Sequence, residues 1–313
     1  MASTNLENNL RIGHINVRSL IPSLNEINSS IYNLKLDILG VTESWLTEQV
    51  SEQEVKINNF KFYRVDRGSR GGGIGVYVRS DITVVEIDVT KDQREIFEQQ
   101  WLILKIGKIK LGLGIIYRPP RFNVMTALRQ LEESIANLIP VTDELIIMGD
   151  ININLLRHTN ITNQFNNLLD TFNFKQVVIN PARYSRDTAS LIDVIIMSDD
   201  HLLSGSAHHQ DLHQHSDHQL IHCSINIKIS AVRPIVIKYR NFIHFDIYSF
   251  KQDLINFPWW QVVDCDNVNQ KTAILSDMIL TLFDSHAPIC EKKVTSPPSP
   301  WFTDALRAMK NII

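Results

Sequence analysis

Residues 60–117 constrain the fold most. They carry three strand-like runs, GIGVYVR (73–79), WLILKIG (101–107) and KLGLGIIY (110–117), with no helical pattern between them. A single parallel doubly wound sheet needs a helix between most of its strands. Further strand-like runs are RIGHIN (11–16), LDILGVT (36–42), ELIIMGD (144–150), LIDVIIM (191–197) and QLIHCSINI (219–227). Some alternate and others are continuously apolar, as strands with one or both faces covered do. Helical spacing appears at Leu20, Leu24, Ile27, Ile31 and Leu34, at Leu128, Leu131, Ile135 and Leu138, and at Phe165, Leu168, Leu169 and Phe172. The expected fold is therefore α/β, a four-layer sandwich of two packed mixed β-sheets flanked by helices.

The character changes after about residue 229. SAVRPIVIKYRNF leads to a helical pattern at Val268, Leu275, Met278, Ile279 and Leu282. VTSPPSPWFTDALRAMK follows, where prolines forbid regular structure and Thr303 can cap a last short helix. These shifts divide the chain into a flexible tail over 1–9, a domain over 10–229, and a helical extension with a Pro-rich linker over 230–313.

A formal net charge of −3 is not the strongly basic balance of a chain that binds nucleic acid by bulk charge. It still leaves room for an acidic metal cluster offset by basic groups elsewhere. Cys223, Cys265 and Cys290 form no CxxC pair and read as reduced thiols. The start lacks the apolar segment of a secretory signal, and no apolar run is long enough to span a bilayer. The expectation is a soluble, nuclear or cytoplasmic protein that is not secreted and has no membrane partner.

Polar residues stand where the apolar runs end. Asn16 follows RIGHI, Glu43 follows LDILGVT, and Tyr117 ends KLGLGIIY. Asp150 and Asn152 follow ELIIMG, Asp193 interrupts SLIDVIIM, and Asp217 and His218 precede QLIHCSINI. One carboxylate at a strand end is usually a turn or cap residue. A set converging from one edge of a sandwich can form a site. Glu43 with Asn or Asp oxygens suits Mg²⁺, a hard cation that prefers oxygen. Such an ion neutralises a phosphoryl oxygen and stabilises an alkoxide leaving group. Asp150 can orient or deprotonate an attacking water, and Asn152 can donate to the phosphate. His218, paired with a buried carboxylate such as Asp193, can be held in one orientation and kept protonated.

HINVRSL, VTESWL, IIYRPP, MGDININ, SLIDVIIM and HSDHQLI occur in the order seen in the endonuclease/exonuclease/phosphatase superfamily. From residue 11 to about 229 the chain most resembles the apurinic-endonuclease-like domain of non-LTR (LINE-type) retrotransposon polyproteins. HAPICEKKV and PPSPWFTDALR are similar to the segment that leads toward the reverse transcriptase there. The resemblance implies a DNase I-like sandwich, a Mg²⁺ cofactor for which Mn²⁺ can substitute, and a double-stranded DNA target. It implies a nick that leaves a 3′-hydroxyl for target-primed reverse transcription, with a reverse transcriptase domain and element RNA as partners in a longer polyprotein. In its terms Glu43 is the main metal ligand, Asn16 lies beside it, and Asp217 assists there. Tyr117 contacts the scissile phosphate, Asp150 aligns the water, Asn152 supports the transition state, and Asp193 orients His218. Ser190 matches a DNA-phosphate contact, and Arg18 and Arg70 join it as candidates. No reverse-transcriptase Y/F-x-D-D motif occurs, so the expected chain is a polyprotein fragment or a truncated copy.

Other readings stay open at this point. One is an abasic-site repair endonuclease, or a phosphoesterase acting on inositol phosphates or lipids. Another is a catalytically silent copy that serves as a binding module.

Two features invite other chemistry. SAHHQDLHQHSDHQLIHC (206–223) is rich enough in histidine to propose zinc. Structural zinc sites usually have cysteines at short spacing, and only Cys223 is near. His208, His209, His213 and His215 read instead as a solvated surface loop, with DNA contact as the minority alternative. RGSRGGGIGVYV (67–78) is glycine-rich, but a phosphate-binding loop needs a helix after the glycines and here a β-rich run follows. It reads as a tight turn feeding a strand, with Arg67 and Arg70 as exposed turn residues. Trp45 is expected beneath the Glu43 loop. Trp101, Trp259 and Trp260 are expected as core or interface anchors, the last two docking the extension.

Overall fold

The computed structural model describes residues 7–67, 71–87, 97–185, 188–212, 216–230, 235–243, 245–264 and 267–294. Arg70, His213, His215, Cys265 and Thr303 lie outside the described residues. Contacts divide the described residues into two units, one over 7–230 and one over 235–294.

In the first unit the elements run β1 (Glu7–Asn16), α1 (Leu20–Leu34), β2 (Ile38–Thr42), β3 (Phe60–Val65), β4 (Ile74–Arg79), β5 (Thr83–Ile87), β6 (Glu98–Ile106) and β7 (Ile109–Tyr117). They continue with α2 (Val124–Leu138), β8 (Glu144–Asp150), α3 (Asn160–Thr171), β9 (Lys175–Gln176), β10 (Arg183–Ser185), β11 (Thr188–Ser190), β12 (Asp193–Met197), β13 (Leu203–Gln210) and β14 (Leu220–Ser230). Two six-stranded sheets result, ordered β13-β14-β1-β2-β4-β3 and β5-β6-β7-β8-β12-β9. Both are mixed: β1 runs parallel to β2 and antiparallel to β14, and β7 runs parallel to β8, which is antiparallel to β12.

Side chains alternate across a strand, so each strand sorts its residues between two faces. Leu10 and Ile12 of β1, Leu113 and Ile115 of β7, Ile146 and Met148 of β8, and Ile195 of β12 share one buried cluster with Ile221 and Cys223 of β14. That cluster fills the space between the sheets. Ile15, Leu39 and Val41 pack instead with Ile27 and Ile31 of α1. Trp101, Ile116 and Ile147 pack with Leu131 and Ile135 of α2 and Phe165 of α3. Helix, sheet, sheet and helix therefore stack as four layers. α3 opens on a capping box in which Thr159 and Thr162 satisfy each other's backbone N–H groups. Phe165 is fully buried beneath it. Phe165→Ala should lower the unfolding free energy by about 3–5 kcal/mol, read from urea denaturation. A loss under about 1 kcal/mol would contradict this packing.

The period of two explains the placement of the site. The inward rows of β2 from Ile38, β7 from Ile109 and β8 from Ile146 carry no polar side chain until their last positions, Thr42, Tyr117 and Asp150, and that of β1 turns polar one place earlier, at His14 and then Asn16. β12 enters antiparallel, so its first residue, Asp193, falls at the same edge.

The 206–210 segment is not a loop. It belongs to β13, where His208 pairs across β14 with His222 and His209 with Ile221. β13 is an edge strand, and its serines and glycine give it a loop-like composition. The glycine run does lead directly into β4. Trp101 is a core residue and Cys223 lies between the sheets. Trp45 is half-buried.

The second unit contains the antiparallel pair β15 (Ile235–Arg240) and β16 (Ile289–Val294), with α4 (Ile247–Asn256), α5 (Trp260–Val263) and α6 (Val268–His286) between them in the chain. Phe245, Phe250 and Phe283 pack ring against ring. Trp259 packs on Phe257 and donates to the Leu254 carbonyl, while Trp260 stays largely exposed. No helix among the described residues is long and apolar enough to cross a membrane.

Candidate active site

Four residues form one continuous row across the second sheet. Glu98 pairs with Tyr117, Tyr117 with Asp150, and Asp150 with Asp193. The first sheet meets this row with Asn16 from β1 and with His218 just before β14. Two sheets thus place at one edge residues that are far apart in sequence.

Asn16 is the link between the sheets. Its Nδ2 donates to Asp150 Oδ2 and to Glu43 Oε1, each at 2.9 Å. Its Oδ1 accepts from the Arg18 backbone N–H. Asn16 therefore orders the carboxylates and turns its own oxygen away from them. Glu43 sits in the left-handed region, φ 54°, and is half-buried. Tyr117 Oη donates to the same Glu43 Oε1 at 3.0 Å. Among the described residues the Glu43 side-chain bonds fall on Oε1, which leaves Oε2 open.

Asp150 is held from both sides, since Asn152 N–H donates to its Oδ1 at 2.9 Å. Asn152 is also left-handed, φ 49°. Arg118 locks it there: Asn152 Nδ2 donates to the Arg118 carbonyl at 2.9 Å, and Arg118 Nη2 donates to the Asn152 carbonyl at 2.6 Å. Burial, with the Asp193 charge beside it, pushes the Asp150 carboxyl well above the usual range.

Asp193 is fully buried and His218 nearly so. His218 Nδ1 donates to Asp193 Oδ2 at 2.7 Å. Burial opposes the imidazolium, but Asp193, Asp150 and Asp217 outweigh it and raise the His218 pKa. Nε2 faces Asp217 Oδ1 at 3.8 Å, beyond hydrogen-bond reach. Asp217 itself is bound by Arg183 Nε at 2.9 Å and lies 3.1 Å from Arg18 Nη2. Burial would raise its carboxyl, yet the Arg183 bond and the surrounding cations hold it low.

The sequence-predicted Asp150, Asn152, Asp193, His218, Tyr117, Glu43, Asn16 and Asp217 are thus brought together. Arg18 reaches the group through Asp217. Ser190 lies further out, on β11 opposite Arg183, which in turn bridges to His218. Arg67 is not an exposed turn residue. It pairs with buried Glu98, and its guanidinium lies 5.7 Å from the Tyr117 ring centroid.

Sequence reasoning passed over several residues. Ser216 Oγ donates to the Asn16 carbonyl at 2.6 Å and accepts from His218 N–H, tying the His218 loop to β1. Its signal was present inside HSDHQLI. Arg118 stood inside IIYRPP. His14 opened HINVRSL, as a histidine inside an otherwise apolar strand. It is fully buried, with Nε2 3.2 Å from Thr42 Oγ1 and Nδ1 3.6 Å from Asp193 Oδ1.

Burial pushes the His14 pKa from 6.5 down to about 4, against the pull of Asp193. His222 falls to about 4 as well, through burial and then its neighbours His208 and His209. Between about pH 6.5 and 4 these two histidines bind more protons in the unfolded chain than in the folded one, so their contribution to stability falls as pH drops, whereas Asp150, raised to about 7, acts in the opposite sense. Relative to wild type, His222→Gln should therefore lose less of its urea midpoint, or gain more, between pH 7 and pH 5. The same change of midpoint in both proteins would contradict neutral burial of His222.

Asp150, Asp193 and His218 bring ligand atoms within 4.8 Å of one another and could hold a metal ion. Glu43, with Oε2 open, and Asp150 are both bound by Asn16 Nδ2 and offer oxygen, the donor that a hard divalent cation prefers.

The model of the endonuclease/exonuclease/phosphatase family matches residues 4–218. The chain belongs to that family. Members are hydrolytic nucleases and phosphatases, so the coarse assignment is a hydrolase with a possible metal-binding acidic cluster. The two mixed sheets with flanking helices are its DNase I-like fold. Among solved structures, the endonuclease domain of TRAS1, a telomere-specific non-LTR retrotransposon, matches at 15% identity. It has a TM-score of 0.57 and covers 70% of this chain and 99% of its own. An AP endonuclease from Archaeoglobus fulgidus matches at 17% identity and TM-score 0.53, over 70% of this chain and all of its own. A 3′-5′ exonuclease from Neisseria meningitidis matches at 16% and 0.55, over 69% and 99%. At these identities the likeness is one of fold. No curated protein matches the sequence.

Proposed function

We propose that this protein is a Mg²⁺-dependent DNA endonuclease that hydrolyses one phosphodiester of a double-stranded target and leaves a 3′-hydroxyl. The observation that carries this reading is the buried Asp193–His218 pair at 2.7 Å, set beside Asp150 and the Glu43–Asn16–Tyr117 group. In a retrotransposon setting that hydroxyl would prime reverse transcription of element RNA by a reverse transcriptase domain. The ordered motifs shared with that family and the fold likeness to the TRAS1 domain support this.

Glu43, with Asp217 and the Asn16-ordered Asp150 nearby, would hold the cation. A Mg²⁺ (or Mn²⁺) ion held there would supply positive charge to neutralise the phosphoryl group and the leaving oxygen. The protein's own groups do the rest. Asp150, with its raised pKa, accepts the proton of the attacking water. Asn152, fixed by Arg118, donates its remaining amide N–H to a phosphate oxygen. His218, kept cationic and in one orientation by Asp193, donates from Nε2 to the oxyanion. Tyr117 places its hydroxyl between Glu43 and the phosphate. Arg18 and Ser190, toward the Asp217 side, would contact neighbouring phosphates.

A substrate panel tests the assignment. Intact duplex DNA, duplex carrying an abasic analogue, a 3′-phosphate end and an inositol polyphosphate are compared by kcat/KM. The endonuclease reading predicts cleavage of intact duplex. Turnover confined to the abasic duplex would give a repair endonuclease, and turnover confined to the inositol polyphosphate a small-phosphate phosphoesterase.

A further inference from the structure

The chemistry above leaves the glycine run and the buried Arg67–Glu98 pair without a role. We propose that Glu98 is a positioning residue that fixes the Glu43 carboxylate by holding the glycine run against the Glu43 loop. The catalytic consequence rests on the endonuclease reading.

Glu98 opens β6 and is 5% exposed. Its Oε2 accepts the Gly73 N–H at 2.8 Å, and its Oε1 accepts from Arg67 Nε. No apolar residue meets both donors. The glycines it holds have φ of 91°, 71° and 83° at Gly71, Gly72 and Gly73, a left-handed run that L side chains rarely adopt. In this shape the Gly73 and Gly72 carbonyls accept from Ser44 N–H and Trp45 N–H, each at 3.0 Å. A Cβ on Gly73 would lie 2.5 Å from Ser44 Oγ, so only glycine allows the approach.

The opposite side of the same loop is fastened too. The Glu43 and Ser44 carbonyls accept from Ser19 and Leu20 N–H at 2.9 Å. Glu43 and Trp45, with φ of 54° and 53°, are strained positions that persist only when surroundings over-determine them. The two fastenings supply that determination. Glu98 also acts through Tyr117. It is the cross-strand partner of Tyr117, and its ion-pair partner Arg67 lies over the Tyr117 ring. Tyr117 then donates to Glu43. Both routes from Glu98 end on the same carboxylate.

The test combines amide hydrogen exchange with steady-state nicking on the full chain, for wild type, Glu98→Ala, Glu98→Gln and Gly73→Ala. Ser44 and Trp45 amides should exchange about tenfold faster or more in Glu98→Ala and Gly73→Ala. Amides of residues 10–15 should keep wild-type protection. Glu98→Gln, which keeps an acceptor for Gly73, should change less. The alanine variants should lose about tenfold or more in kcat with KM for DNA little changed. Wild-type protection at Ser44 and Trp45 in both alanine variants would overturn the inference. So would lost protection with undiminished kcat. A wild type that does not nick DNA sinks the endonuclease reading instead, and the exchange data alone then uphold or overturn the role of Glu98 in holding the loop.

Discussion

Asp193→Asn should lower the nicking rate by about three to four orders of magnitude while the protein stays folded. Asp193 Oδ2 takes the Nδ1 proton of His218 at 2.7 Å in a site where both groups are buried. An amide there can keep a hydrogen bond to Nδ1 but not the anion that favours the imidazolium. Even with its oxygen in place it carries no charge, and Asp193 is the largest influence raising the His218 pKa against burial. The His218 pKa would fall, and less positive charge would meet the developing oxyanion. The pH profile separates this from simple disruption. Activity that needs protonated His218 is present below its pKa and lost above it. In wild type that alkaline limb lies above the ordinary histidine value, and in Asp193→Asn it moves down. A rate within about tenfold of wild type, with an unmoved limb, would remove Asp193 from the mechanism.

Asp150→Asn should cost about two to four orders of magnitude in kcat and leave the unfolding temperature unchanged or raised when measured in EDTA. Burial and the nearby Asp193 charge raise the Asp150 pKa, so the ionised carboxylate destabilises the folded state at neutral pH. Asn removes that charge and keeps one acceptor for the two donors, Asn16 Nδ2 and Asn152 N–H. The lost hydrogen bond, about 1 kcal/mol, is set against relief of like-charge repulsion. Activity and stability should move in opposite directions, as they do where a site stores strain. A variant that loses both would show that Asp150 is structural.

Most of the architecture was legible because β7 and β8 read as near-continuous apolar runs, as strands covered on both faces do. Where such a run ends in Tyr117 or Asp150, a polar residue terminates an inward row, and the sandwich brings such ends to one edge. β13 was not legible, because an edge strand is held by pairing with β14 and its Ser-Gly-Ser composition reads as loop. Glu98 looked like one of several polar residues before WLIL. Its importance comes from lying opposite Tyr117, a register that only the folded sheet defines. His14 was given no role, since its partner Asp193 is distant in the chain. Arg67 read as solvated because nothing local announces the acid it pairs with.

The most direct measurement is nicking of supercoiled plasmid by the purified chain, with Mg²⁺, with EDTA, and for His218→Ala with Mg²⁺. The account predicts relaxed circles from wild type with Mg²⁺ and a 3′-hydroxyl at the nick. It predicts none with EDTA, and a loss of about three orders of magnitude or more for His218→Ala. Nicking that survives both EDTA and His218→Ala, or a folded wild type with Mg²⁺ that leaves the plasmid supercoiled, would contradict it.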